Sequence, residues 1–181
     1  MNPGVPQCGV ANRLTDVSSR RRVYFPAVGG PGRRILLVSS TGGVLLDLLA
    51  LRPWWSRHDV SWVAVPGPDT REVLAGERVR WSDELTPRQP LAVARAVVDA
   101  RAHLRREGVD LVVSAGTGVA VPYFLAARLQ GVPAWWVETL NVIAGAGVAA
   151  RVCARAADQV VVQHSPMLAD YPRAVFVGEL Y

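Results

Sequence analysis

The fold of this chain is decided by the stretch RILLVSSTGGVLLDLL, residues 34–49. Its first six residues form an apolar run that is typical of a strand buried on both faces of a sheet. The small residues from Ser40 to Gly43 then form a turn, and a leucine-rich helical pattern begins at Val44. A strand, a glycine turn and a helix in this order indicate a βα unit of a parallel sheet.

The same alternation of apolar runs and helical patterns continues along the chain. Further strands are predicted at Val60–Val65, Arg78–Trp81, Asp110–Ser114, Val132–Val137, Gln159–Gln163 and Ala174–Val177. Helices are predicted from Val44 to a break at Pro53, at Pro90–Glu107 with Gly108 as C-cap, after Gly118 to Gln130 with Gly131 as C-cap, and at Gly147–Ala156. The expected fold is a single α/β domain with a Rossmann-like parallel sheet and helices on both faces.

The domain is expected to span residues 34–181, after a different kind of segment. Residues 1–33 are rich in Pro, Gly, Ser and Arg and show no sustained periodicity. This composition predicts a disordered basic leader.

The positive charge of the chain comes from arginine, because the sequence contains no lysine. All 20 basic residues are arginine, against 15 Asp and Glu, which gives a net charge of +5. Such a balance suits phosphate groups, a nucleic acid or an anionic membrane surface, and composition does not choose among them. Since no nucleic-acid motif is present, a nucleic-acid partner is not expected.

Other features limit the class of protein. Cys8 and Cys153 are far apart, and the three histidines have no partner at metal-ligand spacing, so neither a disulfide, a metal nor a cofactor is expected. No run reaches the roughly 18 to 20 apolar residues of a membrane span, and no signal peptide is recognisable. The predicted location is cytoplasmic, with at most peripheral membrane contact. The Trp54-Trp55 pair fits either core packing or an interfacial patch.

Ligands of an open parallel sheet bind beyond the carboxyl ends of its strands. Three polar or glycine-rich segments follow predicted strands: Ser40–Gly43, Ser114–Gly118 and Glu138–Asn141. The glycines let backbone amides approach a diphosphate at a helix N-terminus, or they merely make the turn. Glu138 is either a ligand-facing carboxylate or an acid that caps or ion-pairs a helix. The loop Ser40–Gly43 is not the dinucleotide fingerprint GxGxxG, and no Asp or Glu closes the second strand to hold a ribose. It is not a P-loop either, because the chain has no lysine.

A series of short segments, in a fixed order and spacing, carries a resemblance to a known family. They are Ser40–Leu45, Ser114–Gly116 with Pro122, Gly131–Glu138, Ala157–Asp158, Gln163, Tyr171–Ala174 and Gly178–Leu180. The chain resembles the oligosaccharide biosynthesis proteins typified by the membrane-recruiting subunit of the two-chain N-acetylglucosaminyltransferase of the dolichol pathway. Bacterial counterparts are subunits of split exopolysaccharide and capsule glycosyltransferases.

The resemblance implies the N-terminal, acceptor-side half of a GT-B glycosyltransferase. The sugar nucleotide is then held mainly by a separate catalytic partner subunit, the acceptor is a lipid-linked saccharide, and the membrane contact is peripheral at the inner face. The C-terminal segment Phe176–Tyr181 is expected to dock the partner. The residues implied in substrate binding are Ser40, Thr41, Gly42, Gly43, Ser114, Gly116, Thr117 and Asn141.

The chain departs from the family pattern at two positions. The family usually has a histidine after the glycine pair, where this chain has Val44, and often an arginine shortly after the glutamate, where it has Asn141. An inverting transfer needs a base for the acceptor hydroxyl, and valine has no basic group. The predicted catalytic residues are therefore Glu138 and Asp47, and a changed activity is the other possibility.

Overall fold

The structure is a computed structural model that describes residues 32–86, 89–138, 147–171 and 173–177. The predicted leader falls almost entirely outside the described residues, as do Asn141, Pro172 and the last four residues of the predicted docking segment. Predictions for these segments stay predictions.

Within the described residues, seven parallel strands form one sheet in the order β3-β2-β1-β4-β5-β6-β7. The strands are β1 (Arg34–Ser39), β2 (Asp59–Ala64), β3 (Val79–Trp81), β4 (Leu111–Ser114), β5 (Ala134–Glu138), β6 (Gln159–Val162) and β7 (Val175–Phe176). The predicted α/β class with a Rossmann-like parallel sheet is confirmed.

Helices cover both faces of the sheet. They are α1 (Gly43–Ala50), α2 (Arg52–Trp55), α3 (Pro68–Val73), α4 (Pro90–Glu107), α5 (Ala120–Gln130) and α6 (Val148–Ala156), and a 3-10 helix spans Ser165–Ala169. The core on one face includes residues of α4, α5 and α6, and the core on the other includes residues of α1 and α2. Among the described helices, none has the length and apolar character needed to cross a membrane.

Strand β1 supplies both cores, because successive side chains of a strand point to opposite faces. Leu36 and Val38 pack with α4, α5 and α6, whereas Ile35 and Leu37 pack with α1 and α2. All four side chains are fully buried. Burying such a side chain contributes about 1.5–3 kcal/mol, so the apolar run that predicts β1 also anchors both layers of helices.

The tryptophan pair after α1 belongs to the core. Trp55 is buried, donates its indole N–H to the Leu48 carbonyl oxygen at 2.8 Å and meets Trp62 edge-on. Trp54 is half-buried and stacks on Trp135, with ring centroids 5.5 Å apart. Of the two interpretations of this pair, core packing is the one the contacts support.

Helices α4 and α5 end where the sequence predicts. Gly108 and Gly131 both adopt the left-handed conformation with φ of 57° and 67°, which glycine adopts without steric cost. Both predicted C-caps are confirmed. After α5, the Val132 amide bonds to the Ala127 carbonyl oxygen and Pro133 has no amide hydrogen to donate, so β5 begins at Ala134 instead of the predicted Val132.

Helix α3 is not among the helices predicted from the sequence. Pro68 occupies the first turn of this helix, where its missing N–H costs nothing. Thr70 closes the helix start, since its hydroxyl oxygen accepts the Gly67 amide at 2.7 Å. The same tolerance explains Pro53, which ends α1 as predicted but then lies at the start of the short helix α2.

A buried histidine makes the stability of the α4–α5 contact depend on pH. His103 Nδ1 lies 3.2 Å from the Tyr123 hydroxyl, and burial, together with the charge of Arg80, lowers the pKa of His103 below its ordinary 6.5. A lowered folded-state pKa means that the unfolded chain takes up the proton first. The stability that neutral His103 contributes is present above pH 6.5 and is lost as the pH falls through the folded-state pKa.

We therefore expect the melting temperature to fall between pH 7.5 and 5, and to fall less in His103→Asn, which does not titrate. Thermal melts across this pH range measure the difference. His58→Asn, which removes another histidine, is the control and should keep the His103 component. An identical pH dependence in wild type and His103→Asn would contradict this role of His103.

Candidate functional site

The strand order reverses between β1 and β4. The chain runs outward from β1 through β2 to β3, then returns to place β4 on the other side of β1, with Val38 beside Ser114. At such a switch point the two loops that follow the strands diverge and leave a crevice at the carboxyl edge of the sheet. The structure thereby places the predicted loops Ser40–Gly43 and Ala115–Gly118 side by side.

The second loop touches the first turn of α1, directly after the first loop, through Gly116 and Val44. A Cβ atom built on Gly116 would lie 2.8 Å from Val44 Cγ2, closer than side-chain carbons pack, and the φ of Gly116 is +152°. Only glycine therefore fits this contact without displacement. Val44 stands where the family that the chain resembles usually has histidine. In this chain an apolar side chain, and not an imidazole, therefore lies against Gly116.

The first loop is also held by Asp69, in the first turn of α3. Gly42 has φ of 69° and ψ of −133°, and its amide donates to Asp69 Oδ2 at 2.8 Å. This hydrogen bond is the main cause that lowers the pKa of Asp69. Helix α1 starts at the next residue, Gly43, so its N-terminus lies at the crevice, where backbone amides favour an anion.

Ser114 fixes the second loop. Its fully buried Oγ lies 2.8 Å from the Val38 carbonyl oxygen and 2.7 Å from that of Gly116, and it accepts the Gly116 amide at 3.3 Å. The single hydroxyl proton reaches one of the two carbonyls at a time. Ser114 thus positions the loop in this structure, and its predicted contact with a substrate stays a prediction.

Thr117 carries backbone strain. Its φ is +93°, a value that a β-branched residue rarely adopts. Strain of this kind clusters at ligand sites, where the surrounding structure enforces it. Ser40 and Thr41 are the remaining polar residues of the predicted set, half-buried and exposed respectively at the mouth of the crevice.

Glu138, the last residue of β5, is held by two neutral donors. It is 2% exposed, and its Oε2 accepts the Trp136 indole N–H at 2.6 Å and the Tyr171 hydroxyl at 3.0 Å. Burial first, and then the Glu138 charge, raise the pKa of Tyr171. Within the described residues these contacts differ from both the cap and the ion pair considered from the sequence. Base catalysis by Glu138 stays a prediction.

The structure says little about two other predicted site residues, Asp47 and Asn141. Asp47 is fully buried within α1, and Asn141 lies outside the described residues, so their predicted roles stay predictions. The sequence did not predict that Tyr171 would bond to Glu138 or that Asp69 would bond to Gly42. They lie 33 and 27 residues from their partners Glu138 and Gly42, and nothing local in the sequence marks either pairing.

Comparison with known proteins shows what the chain is similar to. No family model matches the chain. Over 145 residues it is 32% identical to the UDP-N-acetylglucosamine--N-acetylmuramyl-(pentapeptide) pyrophosphoryl-undecaprenol N-acetylglucosamine transferase of Synechococcus sp. (strain WH7803), a match that covers 72% of this chain and 38% of that protein. The crystal structure of Acinetobacter baumannii MurG matches with a TM-score of 0.61 at 26% identity, over 72% of this chain and 41% of that one.

The chain is homologous to MurG-type GT-B glycosyltransferases. It spans less than half the length of these two relatives. The UDP-GlcNAc 2-epimerase from Methanocaldococcus jannaschii shares the fold, with a TM-score of 0.63 at 12% identity over 81% of this chain and 45% of that one. The predicted GT-B fold is confirmed, and the relationship is to the MurG type, a broader statement than the two-chain dolichol-pathway family named from the sequence.

The contact between Gly116 of the second loop and Val44 of α1 is testable by double substitution. Gly116→Ala should lower the free energy of unfolding by about 1–3 kcal/mol, since it adds both backbone strain and the collision with Val44. Adding Val44→Ala should restore part of this loss, because it removes the colliding methyl group. Urea unfolding of the single and double variants measures the coupling.

Gly131→Ala is the matched control, because Gly131 also has positive φ but no heavy atom within 4 Å of an added Cβ. It should cost less than Gly116→Ala and should not respond to Val44→Ala. Equal losses at the two glycines would contradict a tight contact between Gly116 and Val44.

Proposed function

We propose that this chain is the acceptor-binding, membrane-associating subunit of a two-chain glycosyltransferase. It takes part in transfer of N-acetylglucosamine or a related sugar from a UDP donor to a polyprenyl-diphosphate-linked or polysaccharide acceptor. The observation that carries the proposal is the crevice between β1 and β4, where a glycine loop follows each strand and Gly116 of the second loop packs on Val44 of α1, in a domain homologous to MurG-type glycosyltransferases.

The crevice has the chemistry for a diphosphate. The N-terminus of α1 presents backbone amides at Gly43, where no side chain blocks approach, and a helix N-terminus favours negative charge. The hydroxyls of Ser40, Thr41 and Thr117 belong to the same two loops and supply hydrogen bonds for a sugar or phosphate oxygen. The Synechococcus relative is named for a pyrophosphoryl-undecaprenol acceptor, which agrees with this assignment.

The base for the acceptor hydroxyl is proposed to be Glu138, with Asp47 as the second candidate. Glu138 ends β5, the strand next to β4, and therefore lies at the same edge of the sheet as the glycine loops. Trp136 and Tyr171 both donate to Oε2, and the proton of the acceptor hydroxyl is proposed to go to the other carboxylate oxygen, Oε1. A carboxylate is proposed for this role because Val44, at the position of the family histidine, has no basic group.

The sugar nucleotide is proposed to be bound by a partner subunit. The two relatives described above are more than twice as long as the part this chain matches, and the partner would supply the remainder. The proposed docking segment begins at Phe176, which is 44% exposed on the edge strand β7. Exposed aromatic side chains of this kind commonly anchor protein interfaces.

A membrane-facing surface is proposed along the outer side of α4. Leu91 and Val98 lie seven residues apart on α4, and they are 78% and 66% exposed. Arg95 lies between them on the same side, and Leu129 of α5, 63% exposed, is next to Gln130, whose side chain bonds to the Arg101 carbonyl oxygen of α4. Exposed apolar residues interleaved with arginine suit the surface of an anionic membrane at the cytoplasmic face.

Membrane binding is tested by vesicle sedimentation of the full chain. Leu91→Ser with Val98→Ser should weaken binding to phosphatidylglycerol vesicles about tenfold, since two apolar contacts with the lipid are lost. Wild-type binding should decrease with salt. Leu46→Ser is the control, because Leu46 is 59% exposed on α1, on the opposite side of the sheet. Equal loss in Leu46→Ser, or equal wild-type binding to neutral vesicles, would contradict this surface.

Activity is tested by co-expression with a neighbouring reading frame that has a sugar-nucleotide-binding pattern. Transfer from labelled UDP-sugars to membranes should require both chains. Gly43→Val should abolish transfer by blocking the amides at α1, and Glu138→Gln should lower kcat about 10²–10⁴-fold if Glu138 is the base. Thermal melts check that both variants fold.

Glu107→Gln is the control, because Glu107 ends α4 at the opposite edge of the sheet and should leave transfer unchanged. Full activity in Gly43→Val would remove the crevice from the mechanism. Absence of transfer with every such partner would favour the alternative, a non-catalytic nucleotide-binding or scaffolding Rossmann-like domain.

A further inference from the structure

A second cleft lies outside the crevice between β1 and β4. It has a volume of about 390 Å³ and is formed between α6 and the segment that leads from the 3-10 helix to β7. Its lining residues are Arg151, Ala154, Arg155, Val160, Asp170, Tyr171, Arg173 and Ala174. None of the roles proposed above uses this cleft.

Three arginines line this cleft, hereafter the arginine cleft. Arg151 and Arg155 lie four residues apart on α6, and Arg173 comes from the opposite wall. Like charges at this spacing on a helix repel each other. Within the described residues none of the three forms an ion pair, and Asp170 is the one carboxylate in the lining. The lining therefore has an excess of positive charge.

The floor of the arginine cleft is apolar. Ala154, Val160 and Ala174 line the cleft together with the arginines, and all three residues are half-buried, as is Tyr171. Guanidinium groups bind phosphate through paired N–H donors, and an apolar floor takes up a hydrocarbon or flat organic group. A simple anion would use the charges and leave the floor exposed to water.

We propose that the arginine cleft binds a phosphate ester with an apolar organic group, its phosphate held by Arg151, Arg155 and Arg173 and its apolar part on Ala154, Val160 and Ala174. This inference goes beyond the proposed function and does not rest on it. Tyr171 connects the two regions, because its ring lines the cleft and its hydroxyl bonds to Glu138 at 3.0 Å. A bound ligand would lie one side chain away from Glu138.

The test is calorimetric titration of the full chain with farnesyl monophosphate, below the concentration at which it forms micelles. Arg151→Gln and Arg173→Gln should each weaken binding about tenfold, because each removes a charged hydrogen bond to phosphate. Arg105→Gln is the matched control, since Arg105 is exposed on α4 outside the cleft. The three substituted residues, Arg105, Arg151 and Arg173, are exposed, so these variants should keep the wild-type melting temperature.

Three results would overturn the proposal. Farnesol binding as tightly as farnesyl monophosphate would show that the phosphate is not recognised. Inorganic phosphate binding as tightly would show that the floor is not used. An equal loss of binding in Arg105→Gln would show that binding depends on the net charge of the protein and not on the arginines of the cleft.

Phosphatidylglycerol vesicles distinguish the two sources of such a ligand. If they compete with farnesyl monophosphate, and Arg173→Gln weakens that competition, the phosphate ester is a membrane lipid. If they do not compete, it is a free phosphate ester. Either result, together with the losses in the cleft variants, supports the site.

Discussion

The domain depends on the enclosure of β1. This strand has hydrogen-bonded neighbours on both edges and helices on both faces, so its backbone groups are paired and its apolar side chains are buried without exception from Ile35 to Val38. On one side of β1 lie β2 and β3, which follow it directly in the chain, and on the other side lies β4. The return of the chain to β4 therefore produces the reversal of strand order, and with it the crevice at the carboxyl edge.

Close backbone approach turns this topology into a defined site. Gly116 allows the second loop to rest on Val44, the Asp69 carboxylate holds Gly42, and Ser114 ties the second loop to β1. These contacts use polar groups of the loops among themselves, and one of them places the Asp69 carboxylate on the amide of Gly42, the N-cap of α1. The strain at Thr117 belongs to the same arrangement, because a loop fixed at several points can impose a conformation that its residue alone disfavours.

The sequence predicts what depends on local pattern. The apolar run of β1, the long helix α4 with Gly108 and the two glycine loops are all visible as periodicity or turn chemistry. Helix α3 is not, because Pro68 is compatible with both a turn and a helix start. The hydrogen bond of Tyr171 to Glu138 and the positive φ of Thr117 depend on contacts between distant segments. The ordered motifs lead to a GT-B glycosyltransferase half, and the comparisons support this at the level of the MurG type.

The hydrogen bond between Ser114 and Val38 spans 76 residues of chain, with all of α4 in between. Pairings of such long range form late in folding, since the intervening chain has to be ordered first. During synthesis, both walls of the crevice cannot exist until β4 has left the ribosome and paired with β1. A chain that stalls within α4 has the first glycine turn but no crevice, and exposes the strand edge that β4 would cover. Until β4 pairs with it, that edge of β1 is a row of unpaired backbone N–H and C=O groups.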